Sequence, residues 1–185
     1  MNDNQPRVIV LDRDGVINHE SPEFVKTIDE WDPLPGSLEA IAALGRAGFL
    51  VTVATNQSGV GRGLFTADTL EAIHEKMIGN VQAAGGKLDG IFVCPHRPDE
   101  GCDCRKPKPG LLHQIAARFS CEPARLLVVG DSIRDLEAAQ SVDATPILVR
   151  TGNGKLSEKL LTGNSPVRVF DDLADATRAM INGLQ

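Results

Sequence analysis

Short apolar runs alternate along this chain with segments of helical periodicity, and three of those runs stop abruptly at polar residues. The run through Val8, Ile9, Val10 and Leu11 stops at Asp12-Arg13-Asp14-Gly15. Phe49 to Ala54 stops at Thr55-Asn56-Gln57-Ser58-Gly59, and Leu126 to Val129 stops at Gly130-Asp131-Ser132. Leu88 to Val93, Pro146 to Val149 and Val167 to Phe170 complete the set. Unbroken apolarity over so few residues suits a strand covered on both faces. Between the runs, Leu38, Ile41, Ala42 and Leu44 predict a helix from Ser37 to about Ala47, stopped by Gly48. Leu70, Ile73, Met77 and Val81 predict another behind a Thr66 N-cap, broken by Gly85-Gly86. Further helices are expected over 110–119, 133–140 and 171–181, with loops over 59–63 and 94–109. Strands alternating with helices predict an α/β chain: a parallel, Rossmann-like sheet with helices on both faces. At 185 residues the chain is expected to form a single domain over 1–185 and to bury a core without disulfides.

In open α/β sheets, ligands bind at the carboxyl ends of the strands. Asp12, Thr55 and Asp131 would meet along that edge. Asp14, two residues after Asp12, would lean to the same side in an extended chain. Three carboxylates around one point repel unless a cation joins them, and an oxygen-lined site with few protein ligands suits Mg²⁺. Lys106, at the end of a Cys-rich loop, can bring a positive charge to the same edge. Carboxylates, Mg²⁺, a hydroxyl and an ammonium together suit phosphoryl transfer, which depends on positioning and charge neutralisation. Singly, each Asp also reads as a turn former or helix cap, and Lys106 as a solvated charge. The joint placement argues against those readings.

The net charge of −6 disfavours a nucleic-acid partner, and no apolar run approaches the roughly 20 residues that span a bilayer. The N-terminal residues lack the pattern of a secretory signal, so a cytoplasmic location is expected. A monomer is expected, since nothing in the sequence suggests a large apolar interface.

Asp12-x-Asp14-Gly15, Thr55, Lys106 and Gly130-Asp131-x-x-x-Asp135, in this order, resemble the four motifs of the haloacid-dehalogenase-like (HAD) phosphohydrolases over nearly the whole chain. Within that superfamily, residues 11–18, 55–59, 94–96 and 102–107 resemble the heptose bisphosphate phosphatases, enzymes of lipopolysaccharide precursor synthesis. Histidinol-phosphate phosphatases look similar. The resemblance implies that Asp12 is the nucleophile and Asp14 the general acid and base. It implies Mg²⁺ held by the Asp12 side chain, the Asp14 carbonyl and the Asp131 side chain, with Thr55 and Lys106 on phosphoryl oxygens. Asp135 would either support the metal site or serve only as helix N-terminal charge. Most such enzymes carry a separate cap domain, but no segment here is long enough for one. Substrate selection would then fall to the loops over 18–35, 57–63 and 94–109. Asn56, Gln57 and Ser58 offer amides and a hydroxyl suited to a sugar. The resemblance brings Glu20 and Arg105 to the substrate as well. Arg62 could reach a second phosphate, but one Arg in a glycine-rich loop reads more readily as a solvated charge, and His19, His74 and His113 read as structural.

Cys94-x-His96 and Cys102-x-Cys104 offer four ligands for a closed, tetrahedral and hence structural Zn²⁺ site. A redox-active pair or a disulfide is the alternative reading. Cys121 reads as a packing residue. A different class, a non-catalytic zinc module that binds phosphorylated ligands, would need no general acid, and the Asp12/Asp14 pair argues against it. A polynucleotide phosphatase would want a basic, aromatic-studded groove that this acidic chain lacks.

Overall fold

The computed structural model describes residues 6–163 and 165–183. Six parallel strands form one sheet in the order β3-β2-β1-β4-β5-β6. They are β1 (Val8–Leu11), β2 (Leu50–Asn56), β3 (Gly90–Cys94), β4 (Leu127–Gly130), β5 (Thr145–Val149) and β6 (Arg168–Phe170). The helices are α1 (Ser37–Arg46), α2 (Ser58–Gly61), α3 (Ala67–Ala83), α4 (Gly110–Phe119), α5 (Ile133–Gln140), α6 (Gly154–Glu158) and α7 (Leu173–Ile181).

All four residues of β1 are buried, and they divide between two cores. Ile9 and Leu11 pack with the apolar residues of α1, α3 and α7, including Ile41, Leu44, Met77 and Met180. Val8 and Val10 pack on the other face with Leu111, Leu112 and Ile115 of α4 and Ala138 and Ala139 of α5. A strand's side chains alternate between faces, so a strand sandwiched between two helical layers must be apolar at every position. That is why the run reads as continuous rather than alternating. Burying each large aliphatic side chain contributes roughly 1.5–3 kcal/mol.

The fold class is the expected one, and most element ends fall within two residues of expectation. Thr66 caps α3, its hydroxyl accepting from Thr69 N at 3.1 Å. Three differences bear on the site. β2 runs on to Asn56, which pairs with Cys94, and Gln57 N donates to the Cys94 carbonyl at 2.7 Å. The segment after it, expected as loop, forms the single turn α2. A second short helix, α6, follows β5 where no helix was expected.

Candidate active site

β1 lies between β2 and β4, so the exits of the three central strands stand side by side. Asp12 follows β1, with its N–H on the Val129 carbonyl at 2.9 Å. Thr55 and Asn56 end β2, and Asp131 follows β4. All line one cavity of about 350 Å³ together with Asp14, Glu20, Gln57, Ser58, Arg105 and Lys106. The sequence-predicted groups, drawn from distant parts of the chain, therefore meet in one place.

The centre of the site is Lys106, whose side chain is only 4% exposed. Its ammonium lies 3.0 Å from Asp12 Oδ1 and 2.6 Å from Asp135 Oδ1, and donates to the Ala54 carbonyl at 2.7 Å. The two carboxylates raise its pKa against the opposing effect of burial. Asp135 joins two features. Its Oδ2 accepts from Ser132 N and Oγ at 3.1 and 2.6 Å, closing a capping box on α5. Its Oδ1 meets Lys106 as a charge contact. Asp135 thus caps α5 and also meets the Lys106 ammonium, so its place is more than that of a helix N-terminal charge alone.

Oxygens of Asp12, Asp131 and Asp135 lie within 4.8 Å of one another. Burial, with the neighbouring acids, raises Asp12 to a pKa of about 8 against the pull of Lys106. Burial raises Asp131 to about 7, opposed by the N–H of Asn153. This excess of buried negative charge is what a hard divalent cation relieves, so the donor set fits Mg²⁺. Asp131 is held at its Oδ2. Asn153 N and Nδ2 donate to its Oδ2 at 2.7 and 3.2 Å. Gly15 (φ +80°) and Gly152 (φ +52°) press against its carboxylate, where a Cβ on either would strike Oδ2.

Asp14 lines the cavity, but its carboxylate stands outside the three-acid group, because the chain turns at Arg13 instead of running extended. Ile17 N donates to the Arg13 carbonyl at 2.8 Å. Oδ1 of Asp14 accepts from Asn18 Nδ2 at 2.8 Å and Oδ2 from Gln57 Nε2 at 2.8 Å, while Arg13 Nη2 reaches both oxygens at 2.9 and 3.0 Å. Burial pushes the Asp14 pKa up, yet the Arg13 charge and these donors bring it below the ordinary value. Gln57 Nε2 also donates to Thr55 Oγ1 at 2.8 Å.

Asn56 faces the Lys106 main chain. Its Nδ2 donates to the Lys106 carbonyl at 3.0 Å and its Oδ1 accepts from Lys106 N at 3.1 Å, so both amide atoms fix the lysine rather than pointing free toward a ligand. Glu20 sits at the mouth, its outer surface exposed. Partial desolvation and the charges of Asp14 and Asp12 raise its pKa to about 7.

Cys94, His96, Cys102 and Cys104 converge at the end of β3. The sulfurs lie 3.5 to 3.7 Å apart along Cys104–Cys102 and Cys94–Cys102, and His96 Nδ1 is 3.2 Å from Cys104 Sγ and 3.7 Å from Cys94 Sγ. A tetrahedron with Zn–S bonds of about 2.3 Å has edges of roughly 3.8 Å, whereas a disulfide needs about 2.05 Å. The cluster is therefore compatible with zinc, and its thiols are unpaired. Cys121 stands apart, packed against the second core.

Asn153, Arg134 and Phe24 are among the lining residues that the sequence did not single out. Asn153 and Arg134 carry no motif signal and depend on where α6 and α5 begin. Phe24 is an aromatic held at φ 67°, a conformation that L-residues seldom adopt. Arg62, read as solvated, also lines the cavity. Burial, then the positive charge of Arg134 and more weakly that of Arg62, lower the pKa of Arg105, and all three arginines line the cavity.

Comparisons with known proteins agree with this geometry. A HAD-hydrolase-like family profile matches residues 103–176. The D-glycero-beta-D-manno-heptose-1,7-bisphosphate 7-phosphatase of Pseudomonas aeruginosa is 49% identical over 176 residues, covering 94% of this chain and 97% of that protein. That of Bordetella bronchiseptica is 50% identical, covering 95% and 98%. A crystal structure of the B. bronchiseptica D,D-heptose 1,7-bisphosphate phosphatase with magnesium and phosphate superposes with a TM-score of 0.92, at 49% identity and the same 95% and 98% coverage. With half of its residues shared along nearly its full length, the chain belongs to the HAD-type D-glycero-beta-D-manno-heptose-1,7-bisphosphate 7-phosphatase family.

Proposed function

We propose that this chain is a phosphatase that removes the 7-phosphate of D-glycero-β-D-manno-heptose 1,7-bisphosphate, in the synthesis of heptose nucleotides and lipopolysaccharide precursors. The observation that carries the reading is the Asp12 carboxylate held by Lys106 between Thr55 and Asp131 on the floor of a cavity. Arg62, Arg105 and Arg134, which line the same cavity, support a substrate with a second phosphate, since a guanidinium can pair bidentately with phosphate oxygens.

Asp12 attacks phosphorus while the bond to the sugar oxygen breaks. Asp14 gives that oxygen its proton, leaving an aspartyl phosphate and a free hydroxyl. Water then attacks the same phosphorus, its proton passes to Asp14, and inorganic phosphate leaves a regenerated Asp12. The donors around Asp14 favour its ionised form, so the proton it first gives up enters with the substrate, whose phosphates bring negative charge beside it. Lys106 and Thr55 hold the phosphoryl oxygens. A Mg²⁺ held by Asp12 and Asp131 and by the Asp14 carbonyl would neutralise the charge between nucleophile and phosphate. Gln57, Ser58, Glu20 and Arg105 would contact the sugar and its remaining phosphate. Asn56 would act through Lys106.

Zn²⁺ on Cys94, His96, Cys102 and Cys104 would shape the loop that carries Arg105 and Lys106. Residues 1–185 would act as one domain without a cap, as a monomer. Three unpaired thiols at the zinc cluster favour a reducing cytoplasm. No helix among the described residues is long and apolar enough to cross a membrane.

The test is phosphate release from the heptose bisphosphate and from histidinol phosphate with Mg²⁺ present. The expected result is a higher kcat/KM on the heptose bisphosphate, abolished by EDTA and by Asp12→Asn. Preference for histidinol phosphate would overturn the substrate, and turnover surviving in Asp12→Asn would overturn the mechanism.

A further inference from the structure

Arg13 is 0% exposed, among the largest fully buried side chains of the protein. An arginine in that position is costly to desolvate, and an aliphatic side chain would fill the same space without that cost. The carboxylate it pairs with is that of its neighbour, Asp14. Nε reaches Asp14 Oδ1 at 3.2 Å, and Nη2 reaches Oδ1 and Oδ2 at 2.9 and 3.0 Å. The guanidinium is fixed from behind as well: Nη1 lies 3.3 Å from Nε2 of His74, a buried residue of α3. Asn18, the second donor to Asp14, is itself held. Its Oδ1 accepts from the buried Trp31 indole at 3.0 Å, and its Nδ2 also donates to the His19 carbonyl at 2.9 Å. Gln57 closes the other side and ties Asp14 to Thr55. The Asp14 carboxylate thus has one orientation, set by a clasp that reaches from the β1 exit to α3.

We infer that Arg13, braced by His74, is a positioning residue for proton transfer by Asp14. Its side chain is buried and does not line the cavity. It fixes the plane of the carboxylate so that one oxygen faces the leaving group. The inference rests on the reading of Asp14 as general acid. It separates Arg13 from residues that merely maintain the fold, because a misplaced acid slows only those leaving groups that need a proton.

The experiment compares two substrates in the first turnover by rapid quench. One is the heptose bisphosphate, whose sugar oxygen must be protonated as it departs. The other is p-nitrophenyl phosphate, whose p-nitrophenolate departs as a stable anion. Arg13→Gln should slow sugar release by about 100-fold and leave the p-nitrophenolate burst within about threefold. Arg13→Lys, which keeps the charge, should recover part of the sugar rate. His74→Leu, which removes the brace and leaves the Arg13, Asn18 and Gln57 contacts to Asp14 in place, should show the same selectivity to a smaller degree, and it stands in for Arg13→Gln if that variant does not fold. Equal losses on both substrates, or no loss on either, would overturn the inference. Asp14→Asn is the reference. If it too lacks selectivity, the acid reading fails; if it is selective while the Arg13 and His74 variants are not, the positioning role alone fails.

Discussion

At the scale of single residues, the site depends as much on what is missing as on what is present. Gly15 and Gly152 leave the space in which Asp131 stands, and a Cβ at either would displace its carboxylate. Gly15→Ala should therefore weaken Mg²⁺ activation at least tenfold, read as the Mg²⁺ concentration at half-maximal rate, and should lower the melting temperature because φ +80° disfavours any side chain. Asp12, Thr55 and Asp131 were legible in the sequence because each follows or ends a strand whose apolar pattern is plain, and Lys106 because it closes the Cys-rich loop. Asn153 and Arg134 were not. Their importance comes from a long-range return of the chain to Asp131 and Arg105, which no local spacing records. Asn56 was legible as a site residue but not in its contacts, since an amide that faces a main chain reads the same as one that faces a sugar. Asn56→Ala should lower kcat by loosening Lys106 while KM changes less than threefold, measured by steady-state kinetics on the heptose bisphosphate.

Among the elements, the long ones announced themselves and the short ones did not. α3 has seventeen residues, a Thr66 cap and an apolar stripe. α2 and α6 have four and five residues, too few to show a period. A single helical turn is poor in intrinsic stability and exists where tertiary contacts hold it. α6 is held by Ser157 Oγ on the Asp131 carbonyl at 2.9 Å and by the Arg150–Glu158 ion pair just beyond β5. The 94–109 loop is the opposite case, with irregular backbone but an unmistakable ligand pattern. Cys94 ends β3, so the cluster fixes the loop to the sheet edge, and Lys106 lies two residues after Cys104. Removing zinc, or Cys102→Ser, should lower kcat/KM roughly 10- to 100-fold by displacing Arg105 and Lys106. Mg²⁺ binding by Asp12 and Asp131 should persist. Parallel kinetics and Mg²⁺ titration of the zinc-free protein would check both parts, and an unchanged kcat/KM would remove the loop from the mechanism.

For the molecule as a whole, stability is tied to a group that never reaches the cavity. Burial, and then the charge of Arg13, push the pKa of His74 down to about 4. Unfolded, a histidine titrates near 6.5, so between pH 6.5 and 4 the unfolded chain binds the proton and the folded chain does not. The stability contributed at His74 is whole at pH 7 and falls as the pH drops through that window, by up to about 3 kcal/mol. Denaturant unfolding at pH 7 and pH 5 should show wild type losing more stability on acidification than His74→Gln, which cannot take up the proton. The architecture itself was legible throughout, since two helical layers demand strands that are apolar on both sides. One consequence concerns synthesis. Asp12 stands beside a strand exit that gains its second neighbour only with β4, and Asp131 is completed only by Asn153. A nascent chain that ends between residues 106 and 153 therefore already contains the nucleophile and the lysine but lacks the amide that holds Asp131.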